Sequence, residues 1–384
     1  MYLNAHTTAL RKIVILALLS GLLHSAIFGQ ANPIDSLDID RLKQEIGQML
    51  MVGIRGSNLN AHVMQQTRRQ ITNGDIGGII FFKHNIKNSR QFRIFVKSIS
   101  TSPAPHPLLL AVDEEGGQVR RLRKAQGFIE FPSAAHVGKN FNDLEADAVY
   151  SQMATQIHRT GLNLNLGPVV DVNVNRASPA IGQLNRSFSR DPGRVFDLGE
   201  IFIRAHRAKK VLTTLKHYPG HGSSREDTHN DLTDITHTWR SSEQLPFRRL
   251  IDSSLVDLIM AGHLFDHNID SKYPASLSRE HIQKTLRGEL GYTGVVITDD
   301  LQMGAIIKRY GLDEIIIAAI NAGCDILQFS DPLNLEQDLP SRVRRVVITA
   351  IKSGEIDPQR IHESYERIVD LKNSFTNNSD KTTD

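Results

Sequence analysis

The feature that most constrains this chain is an eightfold recurrence. Short apolar runs, "IGQMLMVGI", "IGGIIFF", "LLLAVD", "LNLGPVVDVN", "VLTTLKHY", "LVDLIMAGH", "GVVITDD" and "DILQFS", are separated by amphipathic stretches such as "DLEADAVYSQMATQIHRTG", "DPGRVFDLGEIFIRAHRA", "LPFRRLIDSS", "SREHIQKTLRGEL" and "LDEIIIAAINAG". The runs lack the polar alternation of a half-solvated strand, so both of their faces are expected to be covered. Eight such βα units predict an α/β fold, a single-domain (β/α)8 TIM-type barrel, in preference to an open doubly wound sheet.

In that fold the site is carried by the carboxyl ends of the strands and the loops after them. Polar residues cluster there: Asp113 after the third run, Asp171 and Asn173 after the fourth, Lys216 and His217 in the fifth, His263 after the sixth, and Asp299 and Asp300 after the seventh. The barrel is expected over residues 31–375 of the 384, with no internal repeat or linker and with a polar tail from Lys372, "KNSFTNNSDKTTD", expected to be disordered from residue 376 at the latest.

At the amino end, Arg11 and Lys12 precede an apolar run from Ile13 to Leu23 and then small residues. The run is shorter than the roughly 20 residues that cross a bilayer, and its order is that of an export signal over residues 1–30, cleaved near Gly29 or Ala31. Loss of Arg11 and Lys12 takes the formal charge from +3 to +3 − 2 = +1. Such a balance gives no footing for nucleic acid as a partner. After cleavage the protein is expected to lack stable membrane insertion and to lie in the periplasm or outside the cell. The one cysteine, Cys324, has no internal disulfide partner and sits in apolar "AGCDILQF", as a small buried hydrophobe does.

The densest polar stretch is "KHYPGHGSSREDTHNDL", residues 216–232. His217 and His221 are four apart, but Pro219 and Gly220 between them break the helix that a helical zinc motif needs. A loop-built metal site from His217, His221, Asp227 and His229 is the remaining metal reading. Asp227 and His229, two apart, share a face of an extended loop, where a carboxylate orients an imidazole as proton donor and acceptor. Asp299 closes an apolar strand, so its carboxylate faces the barrel mouth as a potential nucleophile toward a sugar C1, while neighbouring Asp300 is read as a cap for the next helix. In "LLLAVDEEGGQVRRLR", Asp113 can accept two hydroxyl hydrogen bonds, and Arg120, Arg121 and Arg123 donate in fixed forks. Arg186 lies in "GQLNRSFSRDP", a weaker signal by itself.

Together these residues resemble the single-domain bacterial β-N-acetylglucosaminidases of glycoside hydrolase family 3. The similarity is carried by "VDEEGGQVRR", "NRSF", "KHYPGHG" with "DTH" following, and "TDDLQMGA", in order over roughly residues 45–370. It implies an exo-acting, retaining hydrolysis of terminal N-acetylglucosamine from cell-wall fragments or chitin-type oligosaccharides. Asp299 would be the nucleophile and Asp227 with His229 the acid/base pair. Asp113, Arg121, Arg186, Lys216 and His217 would hold the sugar, with Asp171 and His263 as further contributors. No cofactor or metal is implied, and a monomer is expected because the barrel completes its own site. Two departures stand out: Ser223 and Ser224 replace the family's usual Asp-Thr, and Thr228 replaces the commoner Ser. A β-glucosidase of the same family is the alternative activity. A non-catalytic sugar-binding protein and a metal-dependent hydrolase are the readings from other classes.

Overall fold

Each of the eight apolar runs forms a strand. In the computed structural model, which describes residues 38–57, 62–227, 233–331 and 338–377, the barrel strands are β1 (Leu50–Gly53), β2 (Gly78–Phe81), β3 (Leu109–Val112), β4 (Leu164–Asn165), β5 (Leu212–Tyr218), β7 (Leu258–Ala261), β9 (Val295–Thr298) and β10 (Leu327–Phe329). Two short strands, β6 (Thr233–Asp234) and β8 (Leu264–Phe265), pair outside the barrel. The order around the sheet is β10-β1-β2-β3-β4-β5-β7-β9, and every adjacent pair is parallel. A parallel bridge between Ile297 and Ile326 brings β9 back beside β10 and closes the ring.

The strands are buried along their whole length, which explains why their sequences do not alternate. Side chains such as Met51, Ile79, Leu110, Ile259 and Ile297 are at most 2% exposed, and each contributes roughly 1.5–3 kcal/mol by leaving water. The covering helices start where the sequence caps them. Asn142 accepts from the Glu145 N–H at 3.0 Å while Glu145 reaches back to the Asn142 N–H at 2.8 Å, opening helix Asp143–Thr160. Asp191 caps helix Pro192–Arg207 ahead of a proline that has no N–H to satisfy.

The structure differs from the sequence reading at several places. The first strand begins at Leu50, because Ile46–Gln48 still belongs to helix Ile39–Gln48. The fourth strand stops at Asn165: Gly167–Pro168 follows as a cis peptide, and Pro168 has no N–H for the ladder. Asp171 and Asn173 therefore lie in irregular chain beyond the strand. Residues Glu280–Glu289 form a helix of i→i+5 type, with the Leu290 N–H reaching the Thr285 carbonyl at 2.9 Å. The polar tail is helical to Asn377. Its Lys372 ammonium is buried and donates to Gln48 Oε1 at 2.7 Å and to the Gly77 carbonyl at 2.9 Å, which anchors the last helix.

The chain divides into residues 1–42 and 43–384. Of the first unit, only residues 38–42 are described, where Asp38 accepts from the Asp40 and Arg41 N–H groups. The barrel lies in the second. The expected signal segment lies outside the described residues. Among the described residues, no helix is long and apolar enough to cross a membrane. Cys324 is buried, donates to the Ser276 carbonyl at 3.3 Å, and has its thiol pushed up to about 12 by burial, as a packing role requires.

Candidate active site

The loop after β3 supplies the first half of the site. Asp113 and Glu115 are two apart and both turn toward the barrel mouth. The intervening Glu114 turns the other way, and its Oε2 accepts from the Arg121 and Leu122 N–H groups at 3.0 Å each. That pair of bonds folds the loop back so that Arg121 returns to Asp113. Gly116 makes the turn possible: its φ is +85°, and a Cβ there would lie 2.2 Å from the Pro132 carbonyl oxygen.

β5 supplies the second half. Lys216 Nζ donates to Asp113 Oδ1 at 2.9 Å and reaches Glu115 Oε1 at 2.7 Å, while Arg121 Nη2 donates to Asp113 Oδ2 at 2.9 Å. Arg186 grips Glu115 with two parallel bonds of 2.8 Å, a bidentate fork that fixes both groups. The left-handed Asn185, φ +57°, turns the chain at that point, a conformation Asn tolerates better than most residues. Arg186 Nη2 also lies 3.3 Å from His217 Nε2, and His217 Nδ1 lies 2.8 Å from Asp171 Oδ2. One continuous network thus joins Arg121, Asp113, Lys216, Glu115, Arg186, His217 and Asp171.

The charges in it are mutually held. Burial alone would raise the carboxyls of Asp113 and Glu115. The adjacent cations, Lys216 and Arg121 for the former and Arg186 and Lys216 for the latter, outweigh burial and hold both below the usual carboxylate range. Burial would likewise lower Lys216, but Asp113 and Glu115 raise it. The mouth therefore presents fixed charges of both signs at neutral pH, a set that suits a ligand rich in hydroxyl donors and acceptors.

Asp299 stands at the same level. Gly262 N–H donates to the Tyr218 carbonyl, and Asp299 N–H donates to the Ala261 carbonyl at 2.9 Å, so the ends of β5, β7 and β9 are tied side by side. Asp299 is half-buried, and its Oδ1 accepts from the Asp300 N–H at 2.8 Å. Asp300 caps no helix. Its Oδ1 accepts from the Gln302 and Ser330 N–H groups, which pins the turn after β9 to the end of β10, and the short helix that follows begins after Met303 with no side-chain cap. Burial raises its carboxyl.

Of the other expected residues, Asp171 is fully buried and spends both oxygens on His217 and on the N–H of His221, so it orients His217. His263 is also buried. Its ring nitrogens face Ser276 Oγ at 2.7 Å and the Asp300 carbonyl at 2.9 Å, so it supports the Asp299–Asp300 turn. Asp227 is half-buried, and His229 lies outside the described residues. Among the described residues, no group of three or more His, Cys, Asp or Glu side chains is arranged to hold a metal ion. His221 instead turns Nδ1 to Ser224 Oγ at 2.8 Å, and burial, then His217, pushes its imidazole down to about 4. Ser224, the second residue of the Ser223–Ser224 departure, also meets Ser178 Oγ at 3.0 Å and is part of a closed, buried contact.

The sequence reading missed Glu115, which takes both bonds of the Arg186 fork and the Lys216 ammonium. The available signal was its i, i+2 relation to Asp113.

A parallel eightfold barrel with fixed charges of both signs at its mouth and a carboxylate at the end of β9 has the layout of a glycoside hydrolase. The chain belongs to glycosyl hydrolase family 3: residues 41–371 match the family's N-terminal domain. It is 36% identical over 284 residues to a β-hexosaminidase of Tolumonas auensis, covering 72% of this chain and 81% of that one. A β-hexosaminidase of Stenotrophomonas maltophilia is 33% identical over 315 residues, covering 80% and 90%. The structure of a family 3 β-N-acetylglucosaminidase from Paenibacillus sp. superposes with a TM-score of 0.80 at 32% identity; it covers 89% of this chain, which spans 64% of that longer protein. A β-N-acetylhexosaminidase from Beutenbergia cavernae superposes with a TM-score of 0.77 at 27% identity, covering 86% and 98%.

Proposed function

We propose that this protein is an exported, exo-acting, retaining β-N-acetylhexosaminidase that releases terminal N-acetylglucosamine from cell-wall fragments. The observation that carries the reading is the Asp113–Lys216–Glu115–Arg186–His217 network, built level with Asp299 across three adjacent strand ends. The names of the β-hexosaminidase relatives support the sugar. In this mechanism the network binds the ring hydroxyls, and Asp299 attacks C1 to form a glycosyl ester while His229, oriented by Asp227, gives its proton to the departing oxygen. The same imidazole then takes a proton from water, which displaces Asp299 and restores the carboxylate.

The preference for cell-wall fragments rests on a second feature. A cavity of about 420 Å³ opens beside Arg121, lined by Phe82, Lys83, His84, Arg120, Arg123, Ser330 and Asp331. Asp331 is paired with Arg55 and Arg120 with Glu130, yet cations still outnumber acids along the wall. A leaving group bearing carboxylates, as peptidoglycan sugars do, fits such a wall better than a neutral chitin unit. The amino-terminal charged, apolar and small segments suit an enzyme that meets this substrate outside the cytoplasm.

The test compares an aryl N-acetylglucosaminide with the glucoside of the same leaving group, following the first-formed anomer by NMR. Cleavage of the N-acetylglucosaminide with β product formed first is expected. Preferential cleavage of the glucoside, or α product first, would overturn the assignment.

A further inference from the structure

Glu243 has no part in the proposed chemistry, yet it lies buried, without solvent exposure, against the root of the segment that leads from β5 to Asp227. It sits in a single 3-10 turn, Ser241–Gln244. Its Oε2 accepts from the Ser223 N–H at 3.0 Å, and its Oε1 accepts from the Arg240 N–H at 3.1 Å. One carboxyl thus ties its own turn to the root of the segment. Three residues before Ser223, Gly220 lies so close that a Cβ there would fall 2.8 Å from Glu243 Cβ and 3.3 Å from Trp239 Nε1, at a φ of +132°. Trp239 adds a second tie, its Nε1 donating to the Pro219 carbonyl at 3.1 Å.

The opposite side of the same root is held from the sugar-binding network, where the His221 N–H donates to Asp171 Oδ1 at 2.7 Å. The root is therefore clamped between Asp171, which orients His217, and Glu243 with Trp239. Such a clamp fixes the point from which the chain departs toward Asp227 and His229. A displacement of about 1 Å at a proton donor is enough to cost on the order of a hundredfold in rate.

We propose that Glu243 is a positioning residue for the acid/base segment, holding the root from Pro219 to Ser223 from which that segment departs. The inference rests on the reading that this pair protonates the leaving group. Glu243 acts through Ser223 and Gly220 and touches no substrate. Its loss should therefore weaken proton donation while leaving sugar binding and the nucleophile intact.

The test measures kcat/KM on two substrates, an aryl N-acetylglucosaminide with a strongly activated leaving group and N,N′-diacetylchitobiose, whose departing sugar needs the proton. For Glu243→Ala, diacetylchitobiose is expected to lose about 30-fold or more and the activated substrate about threefold or less. Glu243→Gln, which keeps one acceptor, should fall between wild type and Glu243→Ala. Gly220→Ala, which pushes on the same contact from the other side, should show the same selective loss. It also serves should Glu243→Ala not fold. His229→Ala is the reference. Equal losses on both substrates in the folded Glu243 and Gly220 variants, with His229→Ala still selective against diacetylchitobiose, would overturn this inference alone. A His229→Ala enzyme without that selectivity would overturn the reading of the pair and the inference with it.

Discussion

Two buried ion networks sit at opposite ends of the barrel, built from the same groups and put to different use. At the end where strands begin, Asp325 precedes β10 and is completely enclosed. It accepts from Arg360 at 2.6 Å, Arg367 at 3.2 Å, Ser364 at 2.8 Å and Arg287 at 2.7 Å, and also from the Val296 N–H. At the end where strands finish, Asp113 and Glu115 meet Lys216, Arg121 and Arg186, but the Asp113 and Arg121 side chains remain 15% and 24% exposed against 0% for Asp325. Both sets of carboxylates are held below the usual range by neighbouring cations that outweigh burial. Openness to a ligand is what differs. The closed network locks the last helix to the barrel, and the open one is left with groups that a polyol can bridge.

This contrast breaks if damage at the two ends has the same consequence. The largest effect is expected from Asp325→Ala, which strands three arginines: stability should fall by about 3–5 kcal/mol in urea unfolding, while the fraction that stays folded keeps its kcat/KM. Next comes Glu115→Ala, which removes the carboxylate that Arg186 and Lys216 share and leaves the two cations to repel each other. A loss of about a hundredfold or more in kcat/KM is expected from the misplaced groups of the proposed sugar site, with a smaller loss of stability because the site can admit water. Equal stability losses for the two variants would erase the distinction.

The pH response sharpens the comparison. For Asp113, Glu115 and Asp325 the folded pKa lies below the unfolded one, so their contribution is present above the unfolded value and is lost as pH falls through the folded one. Both ends should weaken together in acid. Glu114 and Glu243, at the mouth only, are pushed up to about 7 by burial, against a usual value of 4.5. There the folded state holds its proton more tightly, so stability falls as pH rises from about 4.5 to 7. Urea midpoints at pH 5 and pH 8 should show wild type losing more stability over that interval than Glu243→Gln does. Identical losses would contradict the assignment. The smallest effect is expected at the cavity rim. Arg123→Ser, at an exposed position, should lower kcat/KM about threefold to tenfold for a carboxylate-bearing leaving group, less so in high salt, and leave a neutral one unchanged.

Much of this was legible before any coordinates. Eight apolar runs identify eight strands because a covered parallel sheet leaves no other way to bury them, and the acids that follow "LLLAV" and "VVIT" lie at the mouth because parallel strands end at one face. What could not be read are pairings across long stretches of chain. Lys216 meets Asp113 across 103 residues and Arg186 meets Glu115 across 71, and no local pattern distinguishes these from solvated surface charges. For the same reason Asp325 passed unremarked, although it holds three arginines. Asp300 was misread because an acid before a helix resembles a cap, whereas here Ser330, from a neighbouring strand end, competes for it. The last turns at Lys372 looked disordered because the residues are polar, and their anchor lies on Gln48, hundreds of residues away.

The central claim is that the carboxylate closing β9 becomes covalently glycosylated. Incubation with an activated 5-fluoro N-acetylglucosaminyl donor, followed by proteolysis and mass spectrometry of the labelled peptide, tests it most directly. The account predicts a single sugar ester on Asp299 that turns over when a competing acceptor is added. A stable label on Asp300, Asp113 or any other side chain would contradict it.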